Sequence, residues 1–145
     1  MKGNAEVMAE LVKASGSTLE QTVGIGPVTA GRLIGRTGSP SRFPTPAAYT
    51  AYTGVAPIEV ASGERSRHRL SRSGDRQLNA TLHTIAVTQI RTAGSLGNIY
   101  YLTKIAERRE ARRCLKRRLA NHIWRTMIAD EKRQRAKTSN VADAA

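Results

Sequence analysis

Apolar residues recur three and four positions apart over most of this chain and alternate with polar ones in one short stretch. The first spacing marks one face of a helix, the second a half-buried strand. Residues 3–14 carry Val7, Met8, Leu11 and Val12 at helical spacing, and Ser15-Gly16-Ser17 ends the run. Thr18 and Gln21 stand three apart, the spacing of a capping box over one brief turn. Gly24-Ile25-Gly26 follows, with Pro27 where a helix reaching about Gly35 can start. Pro40, Pro44 and Pro46 punctuate a loop, and Ala47 to Tyr52 reads as a short helix ending near Gly54. Asp75 to Arg91 predicts a strong helix, with Leu78, Leu82, Ile85 and Ile90 on or near one face and Ser73 as its N-cap. Asn98 is placed to cap a helix through Arg108. From Glu110 to about Ile128, Ala111, Leu115, Leu119, Ile123 and Met127 repeat every four residues. The tail from Glu131 is polar and predicts a frayed end.

The exception is residues 55–70. Ile58 and Val60 alternate with Glu59 and Ala61, Ser62-Gly63 is a turn dipeptide, and Arg65, Arg67 and Arg69 alternate with Ser66, His68 and Leu70. That pattern predicts a short hairpin with one very basic strand. The fold expected is mainly α: a small helical domain with a helix-hairpin-helix-like entry at 19–35 and one short β-hairpin.

Charge sharpens this picture. The 145 residues suffice for one domain with a modest core, and they carry a net charge of +13. Such a surplus calls for a polyanionic partner bound in a salt-dependent way. The surplus lies late in the chain. Residues 1–20 hold two lysines against three glutamates, and 62–80 five arginines against two acids. Residues 100–137 hold thirteen basic against four acidic side chains. Glu107, Glu110, Asp130 and Glu131 read as solvated positions pairing with nearby arginines. One Phe, one Trp and four Tyr argue against a single-strand binder built on stacking platforms.

Cys114 is the only cysteine, and His68, His83 and His122 have no ligand partner at i+3 or i+4. No metal site is expected in this chain, and no cofactor. No apolar run approaches membrane-spanning length and no signal-peptide pattern opens the chain, so a cytosolic setting fits and no membrane partner is expected.

Two places invite chemistry. Gly24 and Gly26 allow close backbone approach, and the helix after them presents amides to an anion. Hydrophobic-Gly-hydrophobic-Gly before a small-residue helix resembles the hairpin of a helix-hairpin-helix module, which holds a nucleic-acid backbone without reading sequence. The same residues also suit a plain helix–helix turn. Ser62 sits at the hairpin tip before Arg65, Arg67, Arg69, Arg72 and Arg76. A serine hydroxyl needs activation and aim, and guanidiniums can clamp a phosphate in two-pronged fashion. The residues alone equally admit a simple turn beside a solvated basic face.

From Gly24 onward the chain resembles the C-terminal domain of the DEDD-type insertion-sequence transposases of the IS110/IS116/IS902 family. Gly24-Ile25-Gly26 opens the domain. Phe43, Ala47-Ala48 and Ala51-Tyr52-Thr53-Gly54 follow in the family's order, then Pro57, Ser62-Gly63 and Ser71 to Leu78, with a weaker helical match to about Ile128. The resemblance implies DNA transposition, with Ser62 as a nucleophile forming a covalent phosphoserine link. It implies DNA contacts at Gly24, Gly26, Arg65, Arg67, Arg69, Arg72 and Arg76. It further implies DNA as partner, a structured guide-type RNA, and a full-length transposase or a second copy as an oligomer. The setting implied is the bacterial cytoplasm, on the nucleoid when DNA-bound. The family's metal site lies in an N-terminal ribonuclease-H-like domain that this sequence lacks, so Mg²⁺ is expected only with that domain, and this chain alone is expected to be inactive. Residues 1–21 then read as the stump of a coiled-coil linker, 22–130 as the transposase domain and 131–145 as a disordered tail. Val23, Asp75 and Asn79 depart from the proline, asparagine and arginine common at their positions. The alternative is a non-catalytic helix-hairpin-helix binding module.

Overall fold

The computed structural model describes residues 3–62, 65–70 and 74–144, with the backbone alone described for 57–62 and 65–70. The protein is mainly helical. Helix α1 (Asn4–Ala14) opens where the Glu6 carboxylate accepts the Gly3 N–H at 3.2 Å. Its apolar stripe splits in two. Val12 is buried and Met8 lies against Gly31, whereas Val7 and Leu11 face outward. Leu19–Gln21 forms one 3-10 turn, so the first arm of the expected hairpin module is a turn rather than a helix. Helix α2 (Pro27–Thr37) follows with Pro27 in its first turn, and α3 (Pro46–Tyr52) is capped by the Thr45 hydroxyl.

Helix α4 (Arg76–Arg91) is the axis of the domain. Leu78, Leu82, Ile85 and Ala86 are fully buried, and α4 packs on α2, α5 (Leu96–Ala106) and α6 (Ala111–Ala144). The four-residue repeat of α6 does what its period predicts: Ala111, Leu115, Leu119, Ile123 and Met127 all lie inside. Val12 and Leu19 join the same core as Leu33, Tyr49 and Leu82. The core thus continues across Thr22 into the segment read as a linker stump.

Several local expectations are corrected. Thr18 does not close a capping box with Gln21. Its N–H and hydroxyl both donate to the Asp130 carboxylate, at 2.9 and 2.8 Å. Asp130 is thus buried rather than solvated, and it also pairs with Arg133. Next to it, Glu131 accepts the Ser39 and Ser41 hydroxyls at 2.8 and 3.2 Å. Tied there, α6 does not fray at Glu131 but runs to Ala144, over 34 residues, through Lys, Arg, Gln and Ala that favour helix. Helix α4 is capped by Asp75, whose carboxylate accepts the Leu78 N–H at 3.0 Å. The expected cap, Ser73, lies outside the described residues. Helix α5 is capped by Ser95, while the Asn98 amide reaches back to the Ile90 carbonyl at 2.7 Å.

Strands β1 (Pro57–Ser62) and β2 (Arg65–Leu70) pair antiparallel, from Pro57 opposite Leu70 to Ser62 opposite Arg65. Their base is fixed from both sides. The Asp75 N–H donates to the Tyr52 carbonyl at 2.7 Å, and the Val55 and Ala56 N–H groups both donate to the Thr50 carbonyl. Gly54, at φ 75°, lies so close to Gly74 that a Cβ on Gly74 would stand 2.5 Å from the Gly54 nitrogen. Only a residue without a side chain lets the two chains cross there.

Candidate nucleic-acid interface

Helix α4 carries the two expected sites at opposite ends. Gly24 holds φ 90° and packs against the α4 backbone, where its Cβ would meet the Ile85 carbonyl oxygen at 3.2 Å. Gln89 fastens the turn by donating from Nε2 to the Val23 carbonyl at 2.8 Å. Gly24 therefore serves close packing inside the protein. Gly26, the N-cap of α2, is exposed, and a Cβ there would meet nothing within 4 Å. Of the two glycines, Gly26 is the more exposed.

The hairpin grows from the other end of α4. Asp75 and Ile85 are ten positions apart, about 15 Å along a helix axis. Ser62 ends β1 and pairs in register with Arg65, while Arg67 pairs with Val60 and Arg69 with Ile58. Arg76 is the first residue of α4 and is exposed. Arg72 lies outside the described residues. Backbone pairing thus brings Ser62 next to Arg65, and the turn at Gly24 and Gly26 belongs to a different part of the surface.

A network holds the hairpin base. Arg36 of α2 donates from Nε to both Asp75 oxygens, at 3.0 and 2.9 Å, with a further nitrogen 2.9 Å from Oδ2. Burial pushes the Asp75 carboxyl up, but Arg36 and the Leu78 N–H outweigh it and hold the group below the usual aspartate value. The Tyr52 hydroxyl donates to the Arg36 carbonyl at 3.1 Å. Deeper, the Tyr49 hydroxyl meets Thr37 at 2.9 Å, and burial pushes its pKa up to about 12. On the α6 side, Lys116 donates to Asn79 Oδ1 at 2.6 Å, and Asn79 Nδ2 donates to the Gly54 carbonyl at 3.0 Å. Burial, then the charges of Arg112 and Arg113, lower the Lys116 pKa.

Sequence reasoning missed one concavity. A groove of about 470 Å³ runs between α5 and α6, lined by Tyr100, Lys104, Arg109, Arg117, Arg118 and Arg125 among others. Arg118 lies over the Tyr100 ring at 4.5 Å, which fixes its guanidinium plane. Lys104 pairs with Glu107 at 2.9 Å. Among the described residues, no carboxylate pairs with Arg109, Arg117, Arg118 or Arg125. Arg108 turns the chain out of α5 in the left-handed region, at φ 56°, and so delivers Arg109 to the groove. At the inner end, His122 Nε2 and the Thr22 hydroxyl are bonded at 2.8 Å, joining the groove to the segment that leads into Gly24. The available signal was the helical spacing of Arg118 and Arg125, seven apart, within the most basic stretch.

Among the described residues, no group of three or more His, Cys, Asp or Glu could hold a metal ion, and no helix is long and apolar enough to cross a membrane. Concentrated guanidiniums with few acids beside them suit a polyanion. Residues 16–102 match the family model described as the transposase IS116/IS110/IS902 family, and the chain belongs to that family. No curated protein matches it. Membership supports a role in transposition.

Proposed function

We propose that this domain handles DNA during transposition, with Ser62 as the nucleophile that cuts and rejoins a strand. The observation that carries the reading is the register that pairs Ser62 with Arg65 at the far end of a hairpin anchored by Gly54, Gly74 and Asp75. A fixed base lets a short arm present one residue at a reproducible place. In the step proposed, the Ser62 hydroxyl gives up its proton and its oxygen attacks a phosphodiester phosphorus. A serine–phosphate bond forms, and the displaced sugar hydroxyl leaves with a proton. Arg65, Arg67, Arg69, Arg72 and Arg76 supply guanidiniums for the phosphoryl oxygens, where charge builds up.

Among the described residues no group of three or more His, Cys, Asp or Glu could hold a metal ion, and no step here runs through one. Mg²⁺ belongs, on this reading, to a ribonuclease-H-like domain supplied with this one. A guide-type RNA and a full-length transposase or a second copy complete the proposed assembly, in the bacterial cytoplasm.

The test is adduct formation. The chain is incubated with element-end DNA, the element's RNA, Mg²⁺ and full-length transposase whose own serine is replaced. Mass spectrometry is expected to find DNA on Ser62, absent in Ser62→Ala and retained in Ser66→Ala. Equal adducts in wild type and Ser62→Ala, or none in either, would reject the nucleophile and leave the binding-module reading.

A further inference from the structure

We infer that the α5–α6 groove is a second nucleic-acid site, binding a phosphodiester backbone through Arg109, Arg117, Arg118 and Arg125. The inference rests on the reading that this domain handles nucleic acid, but not on Ser62. The site is built mainly of residues 104–125, all of them beyond the stretch that matches the family model.

Four guanidiniums without carboxylate partners among the described residues share one concave surface. Left empty, they repel one another, and a polyanion removes that repulsion. The contrast with their neighbours is informative. Arg113, Arg133 and Arg135 on the same helix are each paired with a Glu or Asp three or four residues away. The Nε of Arg117 is buried with no hydrogen-bond partner, and Tyr100 orients Arg118. Arginine suits this task because its fork meets two phosphate oxygens at once. Arg118 and Arg125, seven residues apart on α6, stand about 10 Å apart along its axis, the length of about three base steps. A nucleic-acid strand supplies regularly spaced phosphates over such a distance. The groove also adjoins the Thr22–His122 contact, so a strand lying in it would continue towards Gly26, the exposed glycine of the turn.

Fluorescence anisotropy tests this with a labelled 20-base-pair DNA duplex, the same single strand and an RNA stem–loop. Two double variants remove equal charge: Arg118→Gln/Arg125→Gln in the groove and Arg113→Gln/Arg135→Gln outside it. All four positions are exposed or half-buried, and matching thermal melts check that both variants fold. The groove variant is expected to weaken the preferred probe at least tenfold and to lower the salt slope by about 2, one for each phosphate it no longer neutralises. The control should change affinity less than threefold. Whichever probe weakens most identifies the source of the backbone. Equal losses in the two variants, or none in the groove variant, overturn the inference. Ser62→Ala should not alter this affinity, and the groove variant's binding says nothing of adducts on Ser62, so the two readings fail separately.

Discussion

The molecule carries two sets of arginines, built in different ways. Arg65, Arg67 and Arg69 occupy alternate positions of one strand, on an arm whose extensive contacts are within itself. Arg109, Arg117, Arg118 and Arg125 lie on α6 or in the link before it, and they line a groove only because α5 packs beside them with Tyr100 and Lys104. The first set is local and hangs on its base. The second is tertiary and stands or falls with the core. The lesson is that one kind of charge can serve two mechanical roles. An arm can deliver a group to a substrate, whereas a groove in a packed body can hold a substrate still.

The largest break in this comparison comes at the crossing of Gly54 and Gly74. A methyl on Gly74 meets backbone on the other side, which cannot swing away as a flexible side chain would. Gly74→Ala is expected to cost about 1–3 kcal/mol, the usual range for overpacking, read as a lowered thermal midpoint. Adduct formation at Ser62 should fall with it, because the arm loses its footing. Groove affinity, measured below the variant's melting range, should stay within twofold of wild type. If both fall together, the two regions are one unit.

A smaller effect lies in the Arg36–Asp75 pair. Asp75→Asn keeps a good N-cap for α4 but gives up the charge. The folded carboxyl has a lowered pKa, so it contributes stability that is complete above the unfolded value near 4 and is lost as pH falls through the folded value. Wild type should therefore melt higher than Asp75→Asn at pH 6, and the gap should close as pH falls from about 4 towards 2. Glu131, whose pKa is also lowered, titrates in both proteins and drops out of the difference. A gap that is constant with pH would show that Arg36 does not hold the carboxylate.

Much of this organisation is written locally. The α4 and α6 stripes, the breaks at Gly16 and the prolines, and the Pro27 start follow from spacing and backbone chemistry over a few residues. Other features are settled between distant segments. Asp130 looks solvated in sequence, because nothing near it announces Thr18, 112 positions away. Gly24 has the composition of a ligand turn, yet its close neighbour is α4. Even the caps moved by two or three residues, to Asp75 and Ser95, and the Asn98 amide turns back to the Ile90 carbonyl instead. The groove was visible only as an excess of charge, since its walls come from two helices whose packing no local pattern states. On α5 the same limit leaves Leu96, Ile99, Leu102 and Ile105 exposed, an apolar line that spacing alone would have turned inward.

The finest test concerns a hydrogen-bonded path from α6 to the hairpin base. Lys116 lies on α6 between Arg113 and Arg117, and its ammonium reaches Asn79, whose amide in turn holds the Gly54 carbonyl at the hairpin base. Lys116→Met removes the donor but also relieves the cost of burying a charge beside Arg112 and Arg113. Its own effect on stability should therefore be small, within about 1 kcal/mol. The informative quantity is the coupling in a double-mutant cycle with Asn79→Ala, expected at about 0.5–1 kcal/mol. Duplex DNA at saturating concentration offers a second reading. If the groove and the arm communicate through Lys116, DNA should slow hydrogen exchange at the Asp75 N–H in wild type and not in Lys116→Met. Equal protection in both proteins would make the link a strut, with the arm and the groove joined in space but independent in action.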